Sequence, residues 1–277
     1  MADECGLLNL ASCIPEKIYE FILNIINAPI KPLLDLTKSL LTEPIRLDFV
    51  APVWAIIIYI LSLFYGLLLL YSGFNFIISG YDVVKRAKAK EWFQNIFIMI
   101  VLIQASYFLY YLFVDVSSLL TAGVINLIDE NFFLLTADNM TNLGLQFFFG
   151  LFYVITILIT VLFLALRYLL VLIGLVLFPI AIFFYFIPAL QGYGKVIFNT
   201  FGTYMFINFL DGIILLICSR AMNVPVFENI KILVMISAFS IINFLMFYMI
   251  IFSIIKSALN SASGDIKAIS TIAKFVS

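Results

Sequence analysis

The stretch from Gln146 to Leu190 constrains this chain more than any other. Its roughly 45 residues carry one full charge, Arg167, and two prolines, Pro179 and Pro188. A helix needs about 20 apolar residues to cross a hydrocarbon core of about 30 Å. At about 1.5 Å per residue, a straight helix of this length overshoots that core about twofold. It is therefore either one very long helix, kinked near Pro179 and leaving the bilayer, or two helices that turn near Arg167.

The rest of the chain is of one kind with that run. It is 65% hydrophobic and 11% charged, far from the balance of a water-soluble domain, and reads as an integral membrane protein. The net charge of -1 gives no strongly basic surface of the kind a free nucleic-acid-binding domain presents. Histidine is absent, which removes the commonest general base and metal ligand together with every Ser-His or Cys-His pair. No Walker loop, GxSxG elbow, HExxH or paired-carboxylate motif occurs, so we expect no enzyme, no cofactor and no metal.

In chain order, residues 14–43 read as two amphipathic helices. Ile14, Ile18, Phe21, Ile22, Ile25 and Ile26 share one face, Pro29 and Pro32 break the pattern, and Leu33, Leu36 and Leu40 resume it. Such helices lie on a membrane surface or against partner subunits. Cys5 and Cys13 fall in this segment, and if it faces an oxidising exterior a disulfide between them is expected.

A first span is expected over about Val53–Ile78. Gly66, Gly73 and Gly80 recur on it every seven residues, a spacing that lets another helix approach closely. Lys85, Arg86, Lys88 and Lys90 then crowd into Tyr81–Glu91, the most basic stretch, which the positive-inside rule places in the cytoplasm. Its cations are also suited to anionic lipid or nucleic-acid phosphate. A second span follows over about Phe93–Leu120, then an acidic loop with Asp129, Glu130 and Asp138. After the long run come a turn at Gln191–Lys195, a span over about Val196–Cys218 and a last span over about Ile232–Ile255.

The expected organisation is an extracytoplasmic amphipathic segment (1–50), an all-α transmembrane bundle (51–256) and a short polar cytoplasmic tail (257–277). Charge arbitrates between five spans and six. With five, Lys85–Lys90, Lys195 and the tail lysines share the cytoplasmic side, with the N-terminus outside and the C-terminus inside. Ionisable groups at membrane depth are costly and are functional candidates by default. Here they are Arg167 and Asp211, with Asp115 nearer an interface and Asn208 one turn from Asp211. Arg167 is expected to be neutralised within the bundle, by Asp211 in preference to Asp115.

Three segments together resemble the polytopic TrbL-type membrane subunit of type IV secretion and conjugation machines. They are the glycine-striped SGFNFIISGYD, the basic KRAKAKEWFQNIFIMIVLIQASYFLY, and the long LRYLLVLIGLVLFPIAIFFYFIP. The similarity covers roughly residues 50–260, and DNA-exchange membrane proteins of archaea look similar at this level. The resemblance implies a channel or scaffold subunit of about five helices in the cytoplasmic membrane, oligomeric, working beside a separate ATPase and moving DNA with or without protein. The family offers no catalytic motif to carry over residue by residue. An autonomous small-solute or ion transporter is the alternative that composition leaves open, although no internal repeat of the usual transporter kind is evident.

Overall fold

The computed structural model describes residues 10–128, 133–134 and 143–276. Among the described residues there are seven α-helices and no strand. They are α1 (Leu10–Thr42), α2 (Ala51–Ile78), α3 (Val83–Gln104), α4 (Ser106–Ile125), α5 (Leu143–Phe186), α6 (Gln191–Ala221) and α7 (Lys231–Val276). Five of the described segments are long and apolar enough to cross a bilayer: 48–78, 106–125, 147–186, 191–221 and 231–252. The chain is an all-α, multi-pass membrane protein.

The long run is one helix. α5 continues for 44 residues, about 66 Å of rise, with no turn at Arg167. The local sequence explains this: Leu164 to Leu170 offers no Gly, Pro, Asn or Asp to build a turn. A turn there would also strand backbone groups in hydrocarbon, where each costs several kcal/mol. Pro179 sits inside the helix without ending it. Pro188 does end it, because the residue before a proline is pushed out of the α region. Ile187 to Leu190 form the turn, closed by Ile187 N–H to the Phe184 carbonyl (3.3 Å) and Leu190 N–H to the Ile187 carbonyl (2.9 Å). The turn thus lies upstream of its expected place, and Gln191 already opens α6.

Two other expectations need correction. The segment before the first span is one helix of 33 residues rather than two, and Pro29 and Pro32 lie within it. Among its described side chains the buried ones are Ile30, Thr37 and Leu41, whereas Leu36 is 45% exposed. The second span is not a single helix over 93–120. α3 stops at Gln104, and Ala105 marks a one-residue fault before α4. The ladder is carried across the fault by Ala105 N–H to the Val101 carbonyl and Leu109 N–H to the Ala105 carbonyl, both 3.0 Å. Residues 257–276 continue α7 as helix.

The chain divides into two compact units. The first comprises Met1–Glu43, Ser118–Leu166 and Ile207–Phe247; the second comprises Pro44–Ser117, Arg167–Phe206 and Tyr248–Ser277. In the second unit, Ile96, Met99 and Ile103 of α3 join Tyr110 of α4, Val171, Leu175 and Phe178 of α5, and Phe201 of α6 in one core. α2 touches that core along Trp54, Ile58, Leu61, Tyr65 and Leu68, a stripe at helical spacing. In the first unit, Tyr153 and Phe239 pack ring to ring at 5.8 Å, and the Tyr153 hydroxyl donates to the Phe133 carbonyl at 2.8 Å. Asn243 of α7 donates to the Thr156 carbonyl of α5 at 3.0 Å.

Candidate functional site

Polar groups inside the spans gather on α6. Arg167, 4% exposed on α5, aims Nε at the Tyr204 carbonyl (2.9 Å) and Nη2 at the Met205 carbonyl (3.2 Å). Ser117 of α4 donates its hydroxyl to the same Met205 carbonyl. A carbonyl has two lone pairs, so that of Tyr204 can serve its helix and still accept from Arg167, while that of Met205 takes donors from both Arg167 and Ser117. The guanidinium stays charged at any accessible pH and its planar fork suits two adjacent acceptors. The second unit is therefore laced at one level by hydrogen bonds from α4 and α5 to α6.

Further along α6 the polar groups belong to the first unit. Asn208 is 2% exposed and donates Nδ2 to the carbonyls of Leu40 (3.3 Å) and Leu41 (3.4 Å). These are among the last carbonyls of α1, which have no partner within their own helix. Asn208 thus caps α1 from the side, a role its spacing with Asp211 did not suggest. Asp211, one turn on, is fully buried. It lies six residues past Met205, about 9 Å of helix rise from the carbonyls that hold Arg167. Asp115 on α4 is half-buried.

The glycines that matter for close packing are not those of the seven-residue stripe. Among the described residues, a Cβ added at Gly66, Gly73 or Gly80 meets nothing within 4 Å. At Gly194 it would stand 2.5 Å from the Tyr185 backbone nitrogen and 2.7 Å from its Cα, so α6 begins against the backbone of α5. At Gly174 it would run into the Tyr110 hydroxyl and, at 2.7 Å, the Phe201 ring. The Tyr110 hydroxyl reaches across that gap to donate to the Val171 carbonyl at 2.5 Å. Sequence reasoning missed both positions. Gly194 had a readable signal as the second glycine of Gln191-Gly192-Tyr193-Gly194, beside a proline-ended helix.

The basic hinge starts at a capped helix. Asp82 has extended backbone angles, and its Oδ1 accepts from Val84 N–H (2.9 Å) and Lys85 N–H (3.3 Å). Its Oδ2 lies 3.9 Å from Lys85 Nζ, an exposed pair of little energetic weight. Arg86 lies 5.9 Å over the Phe76 ring. Lys88 and Lys90 are exposed on α3. Cys5, on which the expected Cys5–Cys13 disulfide depends, and the acidic loop residues Asp129, Glu130 and Asp138 lie outside the described residues; Cys218 on α6 is a free, half-buried thiol. Among the described residues no cluster of His, Cys, Asp or Glu has the makings of a metal site.

No protein-family model, curated protein or solved structure matches this chain.

Proposed function

We propose that the chain is a non-enzymatic channel or scaffold subunit of a type IV secretion or conjugation-like machine that translocates DNA, alone or with protein. The observation that carries this reading is α2. It is a span of mean hydropathy 2.5 with only 6% of its most apolar stretch buried, and Gly66 and Gly73 on it, with Gly80 in the turn that follows, stand open among the described residues. An open small-residue stripe is the surface another membrane helix packs against, which fits a homo-oligomer. The basic hinge follows directly on that helix and suits contact with a separate ATPase or with the cargo. The subunit sits in the cytoplasmic membrane with the N-terminus outside and the C-terminus inside, an orientation that Lys85, Arg86, Lys88 and Lys90 favour under the positive-inside rule.

Deleting the gene should abolish DNA transfer between cells without slowing growth. Normal transfer in the deletion strain refutes the reading. A second reading, an autonomous ion or solute transporter, draws on the buried Arg167, Asn208 and Asp211. Purified protein alone in liposomes that carries a specific ion or solute at transporter rates would replace the first reading with this one.

A further inference from the structure

Where α2 meets α3, the second unit forms an open cavity of about 470 Å³, within the range of small-ligand sites. Its polar lining is Tyr71, Ser72, Asn75 and Ser79 from α2 and the turn after it, with Lys85 and Lys88 from α3; Trp92 lines it too. Ser72 is 1% exposed, and its hydroxyl makes no hydrogen bond among the described residues. A buried hydroxyl with no partner costs free energy that a hydrogen-bonded one does not. Ser79, by contrast, spends its hydroxyl on the Phe76 carbonyl at 2.9 Å. The cavity therefore holds a donor in need of an acceptor, beneath two ammonium groups. The first turn of α3 adds the positive end of a helix. The nearby acid, Asp82, is engaged by the α3 backbone and by Lys85.

The depth of the cavity narrows what can fill it. Ser72 and Asn75 belong to the last two turns of the 48–78 span, while Lys85 and Lys88 follow it in a polar stretch. The lining therefore straddles the level where hydrocarbon gives way to headgroups, the level tryptophans such as Trp92 favour.

We propose that this cavity binds the phosphate of an anionic phospholipid headgroup. Lys85 and Lys88 meet its charge, and the Ser72 hydroxyl donates to one of its oxygens. Free phosphate offers the same group but has no acyl chain to hold it at this depth. A DNA duplex reaches the exposed lysines but not a hydroxyl buried within a span.

The chain has two tryptophans, so Trp54→Phe leaves Trp92 as the sole reporter. The full-length protein is reconstituted in vesicles containing either brominated phosphatidylglycerol or brominated phosphatidylcholine, and quenching of Trp92 is compared. We expect preferential quenching by the anionic lipid, with selectivity falling about fivefold for each lysine replaced in Lys85→Gln and Lys88→Gln. Equal quenching by both lipids, or selectivity unchanged in the double variant, overturns the proposal. So does loss of selectivity on adding millimolar inorganic phosphate, or a stronger fluorescence response to a short DNA duplex than to the anionic lipid. Trp54 Nε1 donates to the Ser106 hydroxyl at 2.9 Å. If that replacement lowers yield, native mass spectrometry of retained phosphatidylglycerol gives the same reading on a chain with both tryptophans. Equal lipid retention with and without the two lysines then overturns the site.

Discussion

α2 and α5 are the two most apolar spans, with mean hydropathies of 2.5 and 2.8, yet 6% of one window is buried and 50% of the other. Hydropathy therefore does not decide which helix packs. In lipid an apolar side chain gains little by leaving acyl chains for protein, so association rests on close fit and on polar groups that need partners. α5 has both: Arg167 on two carbonyls, Tyr153 bonded to Phe133, and Gly174 beneath Tyr110. α2 offers the rest of the chain a single stripe and leaves its glycines open.

The largest expected effect is at Arg167. Its guanidinium donates to the Tyr204 and Met205 carbonyls, and hydrogen bonds to a charged group contribute about 1.5–3 kcal/mol each, a large share of a typical stability of about 5–15 kcal/mol. Arg167→Leu should therefore cut folded yield sharply, and Arg167→Lys, which keeps the charge without the planar fork, should retain only part of it. A leucine variant that folds as well as the parent would end the argument that these bonds hold α5 to α6. Size-exclusion profiles in mild detergent read the outcome.

The glycines of the packed helices come next. Gly194→Val places carbon against the backbone of Tyr185, which has little room to move, and should destabilise by about 1–3 kcal/mol. Gly174→Ala should cost less, because it meets the Tyr110 hydroxyl and the Phe201 ring, which are side-chain atoms able to shift. Adding Tyr110→Phe removes the first obstacle and should recover part of the loss. Thermal unfolding in detergent orders the three variants. A Gly194→Val protein as stable as the parent would end the argument that α6 starts on the α5 backbone.

Four of the five expected spans were legible in the sequence, because hydropathy over about 20 residues reports the solvent directly; the second, expected over 93–120, runs instead over 106–125. The number of apolar helices was legible too, since charge asymmetry favoured five over a turn at Arg167. The interior was not. Whether Pro29, Pro32 and Pro179 end their helices depends on whether neighbours can satisfy the freed carbonyls, which a single sequence does not display. The fault at Ala105 lies in an alanine, the best helix former, and has no local signature. Arg167 and Asn208 were visible as buried candidates by residue type alone. Their acceptors were not, since every residue carries a carbonyl and nothing in the sequence singles out those of Tyr204 or Leu40.

The smallest expected change in stability is at Gly73. No described residue lies within 4 Å of a Cβ placed there, so Gly73→Leu adds bulk to open space. Exposed substitutions of this sort stay within about 0.5 kcal/mol, and the unfolding temperature of the detergent-solubilised monomer should not move. If the stripe is instead where copies of the chain meet, the same leucine holds two helices apart and should abolish the oligomer, read by native mass spectrometry or crosslinking in membranes. The two measurements separate cleanly. A destabilised monomer would mean that α2 packs within the chain as α5 does, while an oligomer that survives the leucine would leave the stripe facing lipid alone.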